Sequence, residues 1–162
     1  MPETPATRIQ LRPFALDDAH EVTTWFTDAG ALRHFAGPRL KWPLTMEQWE
    51  RLQADPELTL WTAINDAEPS EPLGHAEFAQ ETDERVRFAR IAIKPQDRGN
   101  GLGRAMVQRM VEMAREQGYQ EAVLFVHPDN TTAIRAYRSL GFLPVAEEEK
   151  YDSLRMHLNL VA

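Results

Sequence analysis

The hydrophobic positions along this chain change period repeatedly, and each change marks a boundary between elements. Near the start, Ile9 and Leu11 alternate with polar neighbours, which predicts a short strand over Arg8–Pro13. Asp17 then opens a helical pattern reaching about Ala29, with Leu16, Ala19, Val22 and Phe26 on its inner side. From Gly30 to Pro56 the periodicity is lost, and the stretch is aromatic and irregular, with His34, Phe35, Trp42, Pro43 and Trp49. One helix is predicted inside it, over Thr45–Gln53, where Thr45 and Gln48 have the spacing of a capping box. Strand patterns return in Leu58–Asn65, Leu73–Gln80 and Arg85–Lys94, separated by polar turns at Asp66–Pro72 and Glu81–Glu84, so an antiparallel meander is expected. A helical period runs from Leu102 to Gln117, with Leu102, Met106, Met110 and Met113/Ala114 on one face and Gly118 placed to end it. Glu121–His127 is apolar almost throughout and reads as a buried strand, parallel to the Arg85 strand through a right-handed crossover. A last helix follows with Ile134, Tyr137 and Leu140 inward and Gly141 as its stop. Leu143–Glu149 and Ser153–Leu160 close the chain as a strand pair.

At 162 residues this pattern suits one domain over 1–162, long enough to bury a sizeable core. The expected class is α/β, a mixed twisted sheet of about seven strands with about four helices distributed over both faces. A 43% apolar share with 27% charged residues is an ordinary globular balance. The formal charge of −7 argues against non-specific nucleic-acid binding and makes cationic small molecules or basic peptides the easier partners. The absence of cysteine removes disulfides, thiolate catalysis and Cys-based zinc sites. The five histidines are scattered without metal-ligand spacing, so no metal is expected. No apolar run approaches the roughly 20 residues of a membrane span. The N-terminal Met1–Thr7 also lacks a signal-peptide core. The expectation is a cytoplasmic protein with no membrane partner.

The chemistry concentrates between Arg90 and Arg104. A strand ends at Lys94-Pro95, and three alternating glycines, Gly99, Gly101 and Gly103, lead straight into the helix that begins at Leu102. No serine, threonine or aspartate stands at that helix start, and only Asn100 is available as a cap. Most first-turn N–H groups are therefore left for another partner. Glycines admit close backbone approach and the helix end carries partial positive charge, which suits an anion such as a pyrophosphate, flanked by Arg98 and Arg104. The strict Gly-x-Gly-x-Gly alternation excludes the dinucleotide fingerprint, and Arg104 and Ala105 after Gly103 exclude a Walker loop.

This stretch resembles the acetyl-CoA loop of the GNAT superfamily of N-acetyltransferases, Gln/Arg-x-x-Gly-x-Gly/Ala, which Arg98, Gly101 and Gly103 match. A second stretch, Asn130, Ala133, Tyr137, Gly141 and Phe142, matches the superfamily pattern Asn-x-x-Ala-x-x-x-Tyr-x-x-x-Gly-Phe. The opening strand followed by Leu11-Arg12-Pro13-Phe14 and Asp17-Asp18-Ala19 adds to the likeness, which spans nearly the whole chain. The resemblance implies direct acetyl transfer from acetyl-CoA to a primary amine through a ternary complex, with a small-molecule amine or a peptide N-terminus as acceptor. It leaves open a homodimer, and a non-catalytic acyl-CoA-binding or regulatory module on the same fold.

It also implies roles. The backbone of Ile91 and Ile93 holds the pantetheine arm and the acetyl carbonyl. The loop Gly99, Asn100, Gly101, Leu102, Gly103 and Arg104, with Arg98, takes the pyrophosphate. Asn130 and Ala133 address the pantetheine, and Tyr137 faces the sulfur as general acid. Asn130 as a plain helix cap and Tyr137 as plain packing are the structural alternatives. Some members carry a basic carboxylate on the strand entering the loop, where this chain has Arg87 and Arg90, with Glu84 at its start. Glu77, expected to face either a wet cleft or solvent from a central strand, is then the candidate general base, with a water relay as the alternative. The aromatic segment from His34 to Trp49 serves as a substrate lip or as cover for the sheet.

Overall fold

The computed structural model describes residues 9–150 and 153–161. Arg8, expected to start the first strand, and the Met1–Thr7 segment lie outside the described residues. The elements in chain order are β1 (Ile9–Pro13), α1 (Asp18–Thr23), α2 (Ala29–Ala36), α3 (Met46–Ala54), β2 (Leu58–Asn65), β3 (Gly74–Gln80) and β4 (Arg85–Ile93). They continue with α4 (Leu102–Glu116), β5 (Glu121–Val126), α5 (Thr131–Ser139), β6 (Leu143–Lys150) and β7 (Ser153–Asn159).

The strands form one sheet in the order β1-β2-β3-β4-β5-β7-β6. Neighbours are antiparallel except β4 and β5, which α4 joins as a parallel crossover. The expected meander and the single β-helix-β unit are both present.

Each face of the sheet has its own core, as the alternation within β2 to β4 requires. On one side α4 and α5 bury Met106, Met110, Tyr137 and Phe142 against Phe78, Phe88 and Leu124. On the other side α1, α2 and α3 bury Val22, Leu32 and Trp49 against Leu60, Ala79 and Ala92.

The first helix departs from expectation. The helical pattern predicted to reach Ala29 stops at Thr23, where Thr24 N–H turns back to the Glu21 carbonyl at 3.0 Å and its hydroxyl donates to the same oxygen. A second helix then starts afresh, because the Asp28 carboxylate accepts from Ala31 N–H at 2.8 Å and caps it. The described residues thus hold five α-helices where about four were expected. Much of the supposedly irregular aromatic segment is ordered by them: Trp49 is fully buried, with its indole N–H donating to Thr23 Oγ1 at 2.9 Å. Phe35 stacks on Phe26. Trp42 is well exposed, at 44%, and so is His34. Packing thus accounts for Trp49 and Phe35 but not for Trp42.

Candidate active site

The sheet parts in its middle. β4 pairs with β5 only over Arg85–Phe88 against Glu121–Leu124, after which β4 continues to Ile93 bonded to β3 alone. The two parallel strands therefore part, and Ile91 and Ile93 lie on the parted stretch.

β4 also carries a bulge there. Between the pairs Glu77↔Ala89 and His75↔Ala92, β3 supplies only Ala76 while β4 supplies Arg90 and Ile91. Arg90 takes φ +45°, a conformation that a non-glycine side chain rarely adopts. The sequence offered no sign of this, because an arginine inside an apolar strand does not announce a left-handed residue.

Past Ile93 the chain is tied down before it reaches the loop. Lys94 N–H donates to the Leu73 carbonyl at 2.8 Å, its Nζ pairs with Glu21 at 2.9 Å, and Arg98 Nε donates to the Ile93 carbonyl at 3.1 Å. Gly99 and Gly101 both have positive φ, at 87° and 78°. Gly101, not Asn100, occupies the cap position of α4, and no side chain caps it. Asn100, the one side chain the sequence made available as a cap, does not serve as one: the left-handed turn at Gly101 places it outside the helix, and the start is uncapped as expected.

The first intrahelical bond is Ala105 N–H to the Gly101 carbonyl at 3.1 Å. The amides of Leu102, Gly103 and Arg104 have no acceptor within the helix, and its first turn contains no acidic residue. Gly103 is informative for the opposite reason to Gly101. Its φ is not positive, and a Cβ there would meet only Ile93 Cγ1 at an ordinary 3.8 Å, so the fold itself does not require glycine.

The second motif folds up beside this turn. Asn130 caps α5, its Oδ1 accepting from Ala133 N–H at 3.2 Å, so the structural alternative for Asn130 is realised. Its Nδ2 group has no protein acceptor among the described residues. The Arg104 guanidinium crosses from the first turn of α4 to Ser139 Oγ in the last turn of α5, at 2.8 Å. Loop and α5 are thereby brought together, two residues from Tyr137. The Tyr137 ring lies edge-on to Phe142, and burial alone pushes its hydroxyl up to about 12.

Glu77 is not where it was expected. It is fully buried, not facing a wet cleft or solvent, and both carboxylate oxygens are taken. His75 Nε2 lies at 2.7 Å from one, and Arg90 Nε donates to the other at 2.7 Å. The reason lies across the sheet, because Arg90 stands at the bulge beside it. Among the described residues no cluster of His, Cys, Asp and Glu has metal-holding geometry. Nor is any helix long and apolar enough to cross a membrane. A surface hollow of about 380 Å³ between α1 and the β2–β3 turn, lined by Asp17, Glu21 and Ser70 among others, includes none of the loop or α5 residues.

These parts together match a known family, since the family description "Acetyltransferase (GNAT) family" fits residues 19–142. The chain belongs to the GNAT acetyltransferase family. Among solved structures, this GNAT fold is similar to spermidine N-acetyltransferase from Vibrio cholerae in complex with CoA and spermine. The TM-score is 0.78 and the identity 17%, over 95% of this chain and 96% of that one. It is also similar to the PaiA N-acetyltransferase from Thermoplasma acidophilum in complex with coenzyme A. There the TM-score is 0.70 and the identity 16%, over 93% of this chain and 98% of that one. At such identities the likeness is one of fold. A curated GNAT relative, mycothiol acetyltransferase of Saccharomonospora viridis, is 28% identical over 95 residues, which is 56% of this chain and 27% of that protein. The chain matches less than a third of the length of the first such relatives.

Proposed function

We propose that this GNAT chain is an acetyl-CoA-dependent N-acetyltransferase that moves an acetyl group directly to a primary amine of a small molecule or peptide N-terminus in the cytoplasm. The observation that carries the reading is the parted stretch of β4 running into a helix whose first-turn amides have no partner and no nearby acid. The residues present fit acetyl-CoA. An uncapped helix end attracts a diphosphate, and Gly103 keeps clear a space that the fold does not need clear. The CoA complexes of the two similar structures support the same ligand. When bound, acetyl-CoA supplies the acetyl thioester.

The chain's own contribution is mostly positioning. The β4 backbone around Ile91 and Ile93, freed from β5, offers polar groups to the acetyl and pantetheine amides. The loop from Gly99 to Arg104 takes the pyrophosphate, with Arg98 at its entrance. Asn130 keeps its Nδ2 donors available next to Ala133. Tyr137 holds a proton for the departing thiolate, and its raised pKa keeps that proton in place at every physiological pH. Glu77, wholly buried and paired with His75 and Arg90, is out of reach of an incoming amine, so that proton leaves through water.

The acceptor class follows only coarsely. Spermine in the Vibrio structure and the chain's acidic balance both favour a cationic amine. A thiol-release assay with acetyl-CoA against a panel of polyamines, amino acids, amino sugars and peptides tests the reading. Release dependent on the amine supports it, and bound CoA with silence across the panel replaces it with a binding module.

A further inference from the structure

The parted half of β4 has a weak frame. It lacks a ladder to β5, and its ladder to β3 is broken by the bulge, so the ladders alone do not hold Arg90 at its positive φ. Arg90 at φ +45° is strained, and such a residue persists only where its surroundings over-determine it. Its guanidinium is almost wholly enclosed, with 8% of the side chain exposed. Among the described residues its hydrogen bonding rests on Glu77, while Nη2 is buried with no partner.

Glu77 in turn is fixed from behind. His75 Nε2 sits 2.7 Å from its second oxygen, and the His75 ring is boxed by Phe14, Phe35 and Trp49 at 5.5, 5.9 and 5.1 Å. Helices α2 and α3, which supply Phe35 and Trp49, thus bear on the bulge through an unbroken series of contacts.

We propose that Glu77 is a positioning residue: the His75–Glu77–Arg90 series holds the β4 bulge in the geometry that presents the Ile91 backbone to the acetyl group. The catalytic consequence rests on the acetyl-transfer reading above, but the mechanical one does not. Removing the Glu77 carboxylate strands a buried cation on a strained residue, and the bulge relaxes. Removing the Arg90 side chain as well takes away both the stranded charge and the strain, because glycine populates positive φ freely.

The test compares the parent, Glu77→Gln, Glu77→Ala and the double variant Glu77→Ala/Arg90→Gly. The positioning role predicts that Glu77→Ala lowers kcat about 10- to 100-fold, the scale of a misplaced reacting group. CoA affinity, set at the loop, stays within a few-fold. The double variant recovers most of the lost kcat, and Glu77→Gln keeps the parent's pH midpoint in kcat/KM. A double variant as slow as Glu77→Ala, or loss of the acidic limb in Glu77→Gln, overturns the proposal and makes Glu77 the base. Amide hydrogen exchange over residues 89–93 reads the bulge without turnover. Faster exchange in Glu77→Ala with protection restored in the double variant upholds the lock even if the parent transfers no acetyl group. Exchange unchanged in Glu77→Ala refutes it.

Discussion

Replacing Gly103 with alanine separates the needs of the fold from those of a ligand. The position lies in the first turn of α4, has ordinary helical φ, and has room for a methyl group, with Ile93 Cγ1 at 3.8 Å as its only near neighbour. Alanine is favoured over glycine in a helix by up to about 1 kcal/mol. For a chain of this size that corresponds to a rise in Tm of about 2–4 °C. The same methyl group stands where an anion would approach the amides of Leu102, Gly103 and Arg104. An anion at a helix N-terminus gains up to ~2 kcal/mol, so CoA affinity should fall by as much as about 30-fold. Thermal denaturation without ligand and calorimetric titration with CoA, on the same preparations, measure the two effects. Stability and affinity should move in opposite directions, which no purely structural role for Gly103 produces. An unchanged Kd with a raised Tm would show that the diphosphate is not seated at this turn. A lowered Tm would show that the glycine serves the fold after all. Gly101 gives no such separation, because its φ of +78° makes any side chain there strained in both senses.

Tyr137→Phe should keep the fold and CoA affinity yet lose about 10²- to 10⁴-fold in kcat, measured as thiol release with chemistry rate-limiting; a loss of only a few-fold would leave Tyr137 as packing. Its hydroxyl is raised to about 12 from the ordinary ~10, so the unfolded chain gives up the proton first. The stabilising effect is therefore fully present below pH ~10 and declines by about 1.4 kcal/mol per pH unit until about 12, a slope that alkaline denaturation should find missing in the phenylalanine variant. Trp42→Ala, at an exposed site, should raise the acceptor KM with stability changed by less than about 0.5 kcal/mol. Trp49→Ala should instead cost about 3–5 kcal/mol in a denaturant titration, and the reverse ordering would reassign the two aromatics. Asp18 is desolvated, which alone would raise its pKa, but hydrogen bonds from Arg12, Ala15 N–H and Thr62 outweigh that and hold it below the usual carboxylate range. Its contribution is present above pH ~4 and lost on acidification, and Asp18→Ala should cost about 1–3 kcal/mol at pH 7, because Arg12 is partly open to water, with a flatter acid-unfolding profile.

What could be read in advance was whatever rests on local pattern. Leu58–Asn65, the α4 face and the buried run after Glu121 came through with bounds correct to a residue or so, because period and flanking turns specify them. The second helix was passed over because the Asp28 cap falls inside what looked like the continuation of an earlier helix. The uncapped helix start was legible as a gap in the sequence. The bulge was not, since its cause is an ion pair between residues on two strands, Glu77 and Arg90, and neither residue alone departs from a solvated strand. Glu77 was misplaced for the same reason: a carboxylate is expected at water until its counter-ion is known to lie beneath the surface with it.

The shortness of the β4–β5 seam has a mechanical side. Among the described residues the ladder that stitches β1–β4 to β5–β7 runs over Arg85–Phe88 and Glu121–Leu124, prolonged at its start by Gln120 N–H to the Glu84 carbonyl, and past its other end the halves meet through helix packing and the edge-on contact of the His34 and His127 rings. A wedge lodged in that opening touches both halves at once and braces them, much as a keystone loads both sides of an arch. Amides flanking the end of the seam, near Phe88 and Leu124, should then be the ones whose opening is most suppressed when the gap is filled, ahead of amides in the outer strands.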